Sequence, residues 1–329
     1  MKTLVTGGAG FIGSAVVRKL LARGREVRCM VEPGADRQNL AGLDVELVTG
    51  DVRDRTAAMR AMEGCDVLYH LAALYRIWME DPSLLYEVNV EGTKTMLWAA
   101  YRAGARRVIH TSSIAALGLR ADGQPSDETT QFNLWDDANA YIRSKWLSER
   151  DALRFAAEGL PLTVVCPAFP FGERDIGPTP TGRFVVQALA GRVPAYPDGG
   201  FNVVDVLDVA EAHLLAEERG RVGERYLASG HNVTYREFYG LVADVAGVRP
   251  PRRGIPGPAL EGVAWCLETW ADRVSHREPL LTRKAARFAS RQMWFDNTKV
   301  RTELGLEVTP LRDTIERSVR WFREGGRRA

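Results

Sequence analysis

The stretch Lys2-Thr3-Leu4-Val5-Thr6-Gly7-Gly8-Ala9-Gly10-Phe11-Ile12-Gly13 decides how the rest of the chain is read. Its first five residues are a short β-branched run, and glycines at 7, 10 and 13 then open a helical pattern over 11–23. Glycine permits a tight turn and lets backbone N–H groups approach a pyrophosphate, whose charge is favoured at a helix N-terminus. Between a strand and a helix, at the head of an alternating series, the turn predicts dinucleotide binding rather than a bland glycine-rich bend.

The alternation continues outward from that turn. Further strands are expected at 26–31, 45–49, 67–71, 107–112 and 162–167, and helices at 56–62, 82–103 and 138–158, several closed by glycine (Gly24, Gly64, Gly104, Gly159). The fold class is α/β, a doubly wound parallel sheet of Rossmann type over residues 1–167. Residues 168–329 read as a smaller, mostly helical substrate-binding region, with helices at 183–190, 208–219, 235–246, 258–273 and 310–324 and some segments returning to the first domain.

Composition narrows the function. Lys and Arg total 44 against 42 Asp and Glu, so there is no net basic field to hold a nucleic acid. Cys29, Cys65, Cys166 and Cys266 form no C-x-x-C pair and the five histidines show no ligand spacing, which indicates no metal. No secretory leader is read at the start and no run of about 20 apolar residues occurs, which places the chain in the cytoplasm. The helix over 258–270, with Trp265 and Trp270, is expected to pack as core rather than touch a membrane.

Tyr141 and Lys145 stand four apart on a predicted helix, on one face. A free phenol titrates near pH 10, and an adjacent ammonium lowers that value, so the pair suits proton exchange at neutral pH. The end of the second strand carries Glu32, which can accept bonds from a ribose 2′-hydroxyl and repel a 2′-phosphate. That favours NAD(H); Arg37 turning toward a 2′-phosphate would serve NADP(H) instead.

Gly-x-x-Gly-x-x-Gly spacing, Gly50-Asp51-Val52, His70-Leu71-Ala72-Ala73, Asn89-Val90-Glu91-Gly92-Thr93, Thr111-Ser112-Ser113 and Tyr141-x-x-x-Lys145 together resemble the extended short-chain dehydrogenase/reductase superfamily over nearly the whole chain. The resemblance implies that Asp51 and Val52 flank the adenine and that Leu71, Ala72 and Ala73 line the cofactor channel, with Phe11, Ile12, Asn89, Thr111 and Pro167 also at the cofactor. It further implies that Lys145 binds the nicotinamide ribose and that Ser113 hydrogen-bonds the substrate oxygen, completing a catalytic set of Ser113, Tyr141 and Lys145. Ile114-Ala115 follow Ser113 where the 4,6-dehydratases of the superfamily carry an Asp-Glu pair, which argues against a dehydratase.

Within the superfamily the chain is similar to the dihydroflavonol-reductase-like branch, which includes 3β-hydroxysteroid dehydrogenases and the hopanoid-associated sugar epimerase subgroup. The residues that carry this are Arg76-Ile77-Trp78 with Asp81-Pro82, Pro178-Thr179-Pro180-Thr181-Gly182-Arg183 and Arg277-Glu278-Pro279-Leu280. Nucleotide-sugar epimerases hold a diphosphate with an arginine near the position of Phe201, so that grip looks missing here. Tyr75, Trp78, Trp135, Phe169, Phe171 and Phe201, with Arg183 and Ser113, are the expected substrate residues; for Phe169 and Phe171 a core role is the equal alternative. Expected is hydride transfer to or from a ketone or secondary alcohol on an apolar molecule, with a nucleotide-sugar 4-epimerase and a non-catalytic cofactor-binding regulator as alternatives. The resemblance also implies a homodimer through the helices at 82–103 and 138–158.

Overall fold

The structure, a computed structural model, describes residues 1–76, 79, 81–271, 273 and 281–325. Six strands, β1 (Lys2–Thr6), β2 (Glu26–Val31), β3 (Glu46–Thr49), β4 (Val67–His70), β5 (Arg107–Thr111) and β6 (Leu162–Pro167), lie parallel in the order β3-β2-β1-β4-β5-β6. Reversal of direction between β1 and β4 is the doubly wound pattern, and it opens a crevice at their carboxyl ends. The helices between them are α1 (Phe11–Ala22), α2 (Arg55–Met62), α3 (Ser83–Tyr86), α4 (Thr93–Arg102) and α5 (Ala140–Ala157). The glycines expected as left-handed stops do stop them, with φ of 70° at Gly24 and 67° at Gly104.

The helix expected to run unbroken from 82 to 103 is divided by a π turn, Glu87–Gly92. A Cβ on Gly92 would sit 2.7 Å from Val52 Cγ2, so the missing side chain lets Val52 press into the widened turn. The Thr93 hydroxyl donates back to the Asn89 carbonyl at 2.7 Å inside the same turn.

A seventh strand, Arg225–Ala228, pairs parallel with β6 at the edge of the sheet. The helix before it, Val206–Arg219, packs on α1, tied by Lys19–Glu211 at 2.8 Å, Arg23–Glu218 at 2.6 Å and an Arg25–Glu217 pair. Residues 206–228 therefore build part of the first layer. The later region is also less purely helical than expected. Gly200–Asp205 is the middle of a small sheet joined by Phe169–Phe171, His231–Thr234 and Gln292–Met293. Asn202 inside that strand is buried, and its amide is satisfied by Gly230 N–H at 2.7 Å and Asn232 Oδ1 at 2.8 Å, so polar residues hide the strand from a hydrophobic pattern.

Candidate active site

The glycine turn is a cradle that a side chain would fill. Gly7 holds φ +71°, and a Cβ there would stand 2.7 Å from Ala72 N; a Cβ on Gly13 would stand 2.0 Å from the Gly7 carbonyl oxygen. Gly7 thus lets the end of β4 lie against the turn, and Gly13 lets α1 start directly on it. Gly10 at the helix N-cap offers no capping side chain, leaving first-turn N–H groups for an anion. A dinucleotide pyrophosphate fits this donor set.

A buried chain of hydrogen bonds fixes the 71–74 segment between the turn and α5. His70 Nδ1 meets Thr6 Oγ1 at 2.8 Å and Nε2 meets Thr93 Oγ1 at 3.0 Å. Burial pulls His70 down to about 3, so the imidazole is neutral. Because Thr93 spends its proton on Asn89, its oxygen accepts from Nε2–H, and Nδ1 then accepts from Thr6. Asn89 in turn clasps Leu74 through its N–H (2.7 Å) and carbonyl (3.0 Å) and donates to Ser144 Oγ at 2.9 Å.

Asn139 caps α5 by accepting from Ile142 N–H at 2.9 Å, which fixes where Tyr141 and Lys145 emerge. The Tyr141 hydroxyl is buried and hydrogen-bonded to Ser113; burial first, and Tyr75 second, push it well above the usual phenol range, and the Ser113 bond pulls the other way. The Tyr75 ring lies 4.6 Å from the Tyr141 ring. Tyr75 is 44% exposed, and desolvation raises its hydroxyl to about 12 against the charge of Arg183. Lys145 Nζ donates to the Thr111 carbonyl at 2.8 Å, and burial lowers it to about 8 against the pull of Glu149 and Cys166. The expected lowering of Tyr141 by Lys145 is thus corrected: the ammonium points at a β5 carbonyl, and burial governs the phenol.

Two groups missed in the sequence complete this site. Glu149, one turn beyond Lys145, is buried, pairs with Arg225 of the seventh strand at 2.7 Å and accepts from Cys166 Sγ at 3.3 Å. Its i+4 spacing from Lys145 was a signal available in the sequence. Phe288, from the short helix Arg283–Ala289, packs against the buried cluster of Ala115, Ala138 and Ile142, on which Phe132 and Tyr141 also pack. No spacing rule connects positions so far apart.

Residues 3–228 match the model of the NAD dependent epimerase/dehydratase family. The chain belongs to that family. Sterol demethylase protein B of Methylococcus capsulatus is 37% identical over 99% of both chains. A ketoreductase of Stigmatella aurantiaca, named for 4-hydroxy-2-methyl-3-oxo-4-farnesyl-3,4-dihydroquinoline-1-oxide, is 32% identical over 93% of this chain and 91% of its own. Among solved structures, UDP-glucose 4-epimerase of Thermus thermophilus in complex with NAD superposes with a TM-score of 0.80 at 25% identity, covering 99% of this chain and 100% of that one. This family member is an NAD(P)-dependent enzyme of the extended short-chain dehydrogenase/reductase type.

The remaining expected residues divide. Asp51 follows β3, its carboxylate held below the usual range by Arg53 at 2.7 Å. Glu32 is exposed after β2, and Arg37 donates to Thr49 Oγ1 at 3.2 Å. Ala73 is exposed while Pro167 is buried at the end of β6. Arg183 is exposed, anchored to the Pro178 carbonyl at 3.1 Å, and its charge is felt at Tyr75. Phe201 is corrected to core and Phe171 takes the core role held as its alternative: each is 1% exposed, and with Phe238 they form a cluster of tilted rings whose centroids are 5.1–6.1 Å apart. Phe169 is half-buried against Phe201 at 5.5 Å. Trp135 is also corrected: it lies with Phe132 and Trp146 in an outer cleft of about 540 Å³ beside Glu128 and Arg225, with Tyr141 absent from its lining. Trp78, Ile77 and Arg277-Glu278-Pro279-Leu280 lie outside the described residues.

Proposed function

We propose that this enzyme transfers a hydride reversibly between a nicotinamide cofactor and a ketone or secondary alcohol on an apolar molecule. The observation that carries the reading is the buried Tyr141 hydroxyl bonded to Ser113, one helical turn from Lys145, with the Tyr75 ring packed against it. The cofactor, seated on the turn of Gly7, Gly10 and Gly13, supplies or takes the hydride. Ser113 orients the substrate oxygen, and Tyr141 gives that oxygen its proton during reduction and takes it back during oxidation. Lys145 holds the nicotinamide ribose, and the Thr111 carbonyl holds Lys145 in line. Burial of its hydroxyl keeps the Tyr141 phenol protonated until an oxyanion forms beside it.

Glu32 supports NAD(H) over NADP(H), because its carboxylate repels a 2′-phosphate and Arg37 is engaged at Thr49. The apolar substrate is supported by Phe201, an aromatic core residue where a diphosphate site needs a cation. Relatives named for a sterol and for a farnesylated ring agree with it. Exposed Leu84, Tyr101 and Leu147 on α3, α4 and α5 support a homodimer. The test supplies NADH and NADPH with panels of sterol-like and isoprenoid ketones and with UDP-sugars. NADH oxidation with the ketones is expected; turnover confined to the sugar nucleotides rejects the reading.

A further inference from the structure

The helix Gly257–Trp270 was expected in the core, and the structure turns it outward. Trp265 and Trp270 are 55% and 61% exposed, and Val263 50%. Ala259, Gly262, Val263, Cys266 and Trp270 fall three or four apart on one stripe, all exposed; Trp265, four residues after Glu261 and three before Glu268, is exposed at its flank. The helix has two charged residues, and both are drawn sideways: Glu261 accepts from Arg287 Nε at 2.9 Å and Glu268 from Arg283 Nε at 2.8 Å. No acid is left on the outer face.

Basic residues bracket the helix along the chain. Arg249, Arg252 and Arg253 precede the helix and Arg273 follows it, all exposed. Residues 249–291 hold nine Lys and Arg against four Asp and Glu, whereas the whole chain is nearly balanced at 44 against 42. The basic excess of the sequence therefore falls in the segment that carries Trp265 and Trp270, the most exposed tryptophans among the described residues. Fourteen residues rise only about 21 Å, short of the roughly 30 Å hydrocarbon layer. Indole rings favour the headgroup boundary, and arginines are attracted to anionic lipid.

We infer that the helix Gly257–Trp270 docks this enzyme on an anionic lipid bilayer, lying in the plane of the headgroups with Val263, Cys266 and Trp270 facing the lipid and Trp265 at the flank of the contact. The same hairpin reaches the reaction site. Its second helix, Arg283–Ala289, places Phe288 on the cluster against which Tyr141 also packs, and Arg291 beyond it pairs with Asp137 just ahead of α5. Docking brings the mouth of the site to the layer in which an apolar ketone dissolves. That last consequence rests on the proposed substrate; the docking does not.

The test uses the full chain with vesicles of phosphatidylcholine alone or with phosphatidylglycerol added. Three of the four cysteines are buried and Cys266 is exposed, so a bimane label at Cys266 reports the polarity at the face. Co-sedimentation with the phosphatidylglycerol vesicles, weakened by salt, and a blue shift of the bimane are expected. W265S/W270S should lower partitioning about tenfold or more, and R252E/R253E should abolish the preference for anionic lipid, each with thermal midpoint and NADH binding retained. The inference is overturned if the wild type ignores phosphatidylglycerol vesicles, if W265S/W270S partitions like the wild type, or if the label does not respond. It is equally overturned if the tryptophan variant turns a dimer into a monomer while the wild type binds no vesicle, since the face then belongs to a second copy. Vesicle binding without turnover of a membrane-dissolved ketone leaves docking standing and removes the substrate reading alone.

Discussion

The two sides of the catalytic crevice are built by different physics. On the side proposed for the cofactor, backbone touches backbone, Gly7 against Ala72 and Gly13 against the Gly7 carbonyl, and the His70 side chain ties Thr6 to Thr93 behind it at 2.8 and 3.0 Å. On the substrate side, side chains from remote segments meet: Tyr75 after β4 and Ser113 after β5 at Tyr141, and Phe288 from the hairpin on the cluster against which Tyr141 also packs. Close backbone approach admits one residue type at each position, whereas a packed apolar wall admits many of similar volume. The first side is thus held to one ligand chemistry while the second is free to change its substrate.

If that contrast is right, the severest lesion lies on the cofactor side. Gly13→Val forces a Cβ onto the Gly7 carbonyl and should cost about 3 kcal/mol of stability together with NADH binding, read by thermal melts and NADH fluorescence. Tyr141→Phe should separate the two sides, keeping NADH affinity while turnover falls roughly 10²–10⁴-fold. A variant that lost both would unite them. Glu149→Gln removes a group that raises Lys145, so the alkaline limb of the kcat/KM profile, set near pH 8, should move to lower pH with a loss of a few-fold at that pH.

Lys145 also leaves a signature in stability. Its folded value of about 8 lies below the unfolded value of about 10.4, so between them the unfolded chain binds more protons and stability rises with pH. Below pH 8 both states are protonated and the burial penalty is present in full. Lys145→Met should therefore gain most in melting temperature near pH 7, and the gain should shrink toward pH 10. The smallest effect is expected from Trp135→Ala, which lines the outer cleft: turnover should stay within about two-fold of the parent.

What was legible in the sequence follows the same division. The six strands and the glycine stops were readable because β-branched runs and left-handed caps are local requirements. Tyr141, Lys145 and Ser113 were readable as a motif and come together on α5 and the end of β5. The strand Gly200–Asp205 was hidden because Asn202 and Asp205 are buried in satisfied polar bonds rather than replaced by apolar residues. Phe201 was misread and Phe171 left open because one aromatic residue serves a wall or a core, and only neighbours such as Phe238 decide between them. Trp135 went astray because its direction depends on Trp146 across the cleft, which no loop sequence specifies.

The strand Arg225–Ala228 ties the distant parts of the chain together. Shortening the protein after residue 167 would bare the hydrogen-bonding margin of β6, an invitation to edge-to-edge aggregation. It would also strip Glu149 of its counter-cation, leaving a lone carboxylate in the interior behind Lys145. The nucleotide cradle is consequently not a portable module, and an engineer who wishes to graft a new substrate cap must carry residues 206–228 along with the recipient half.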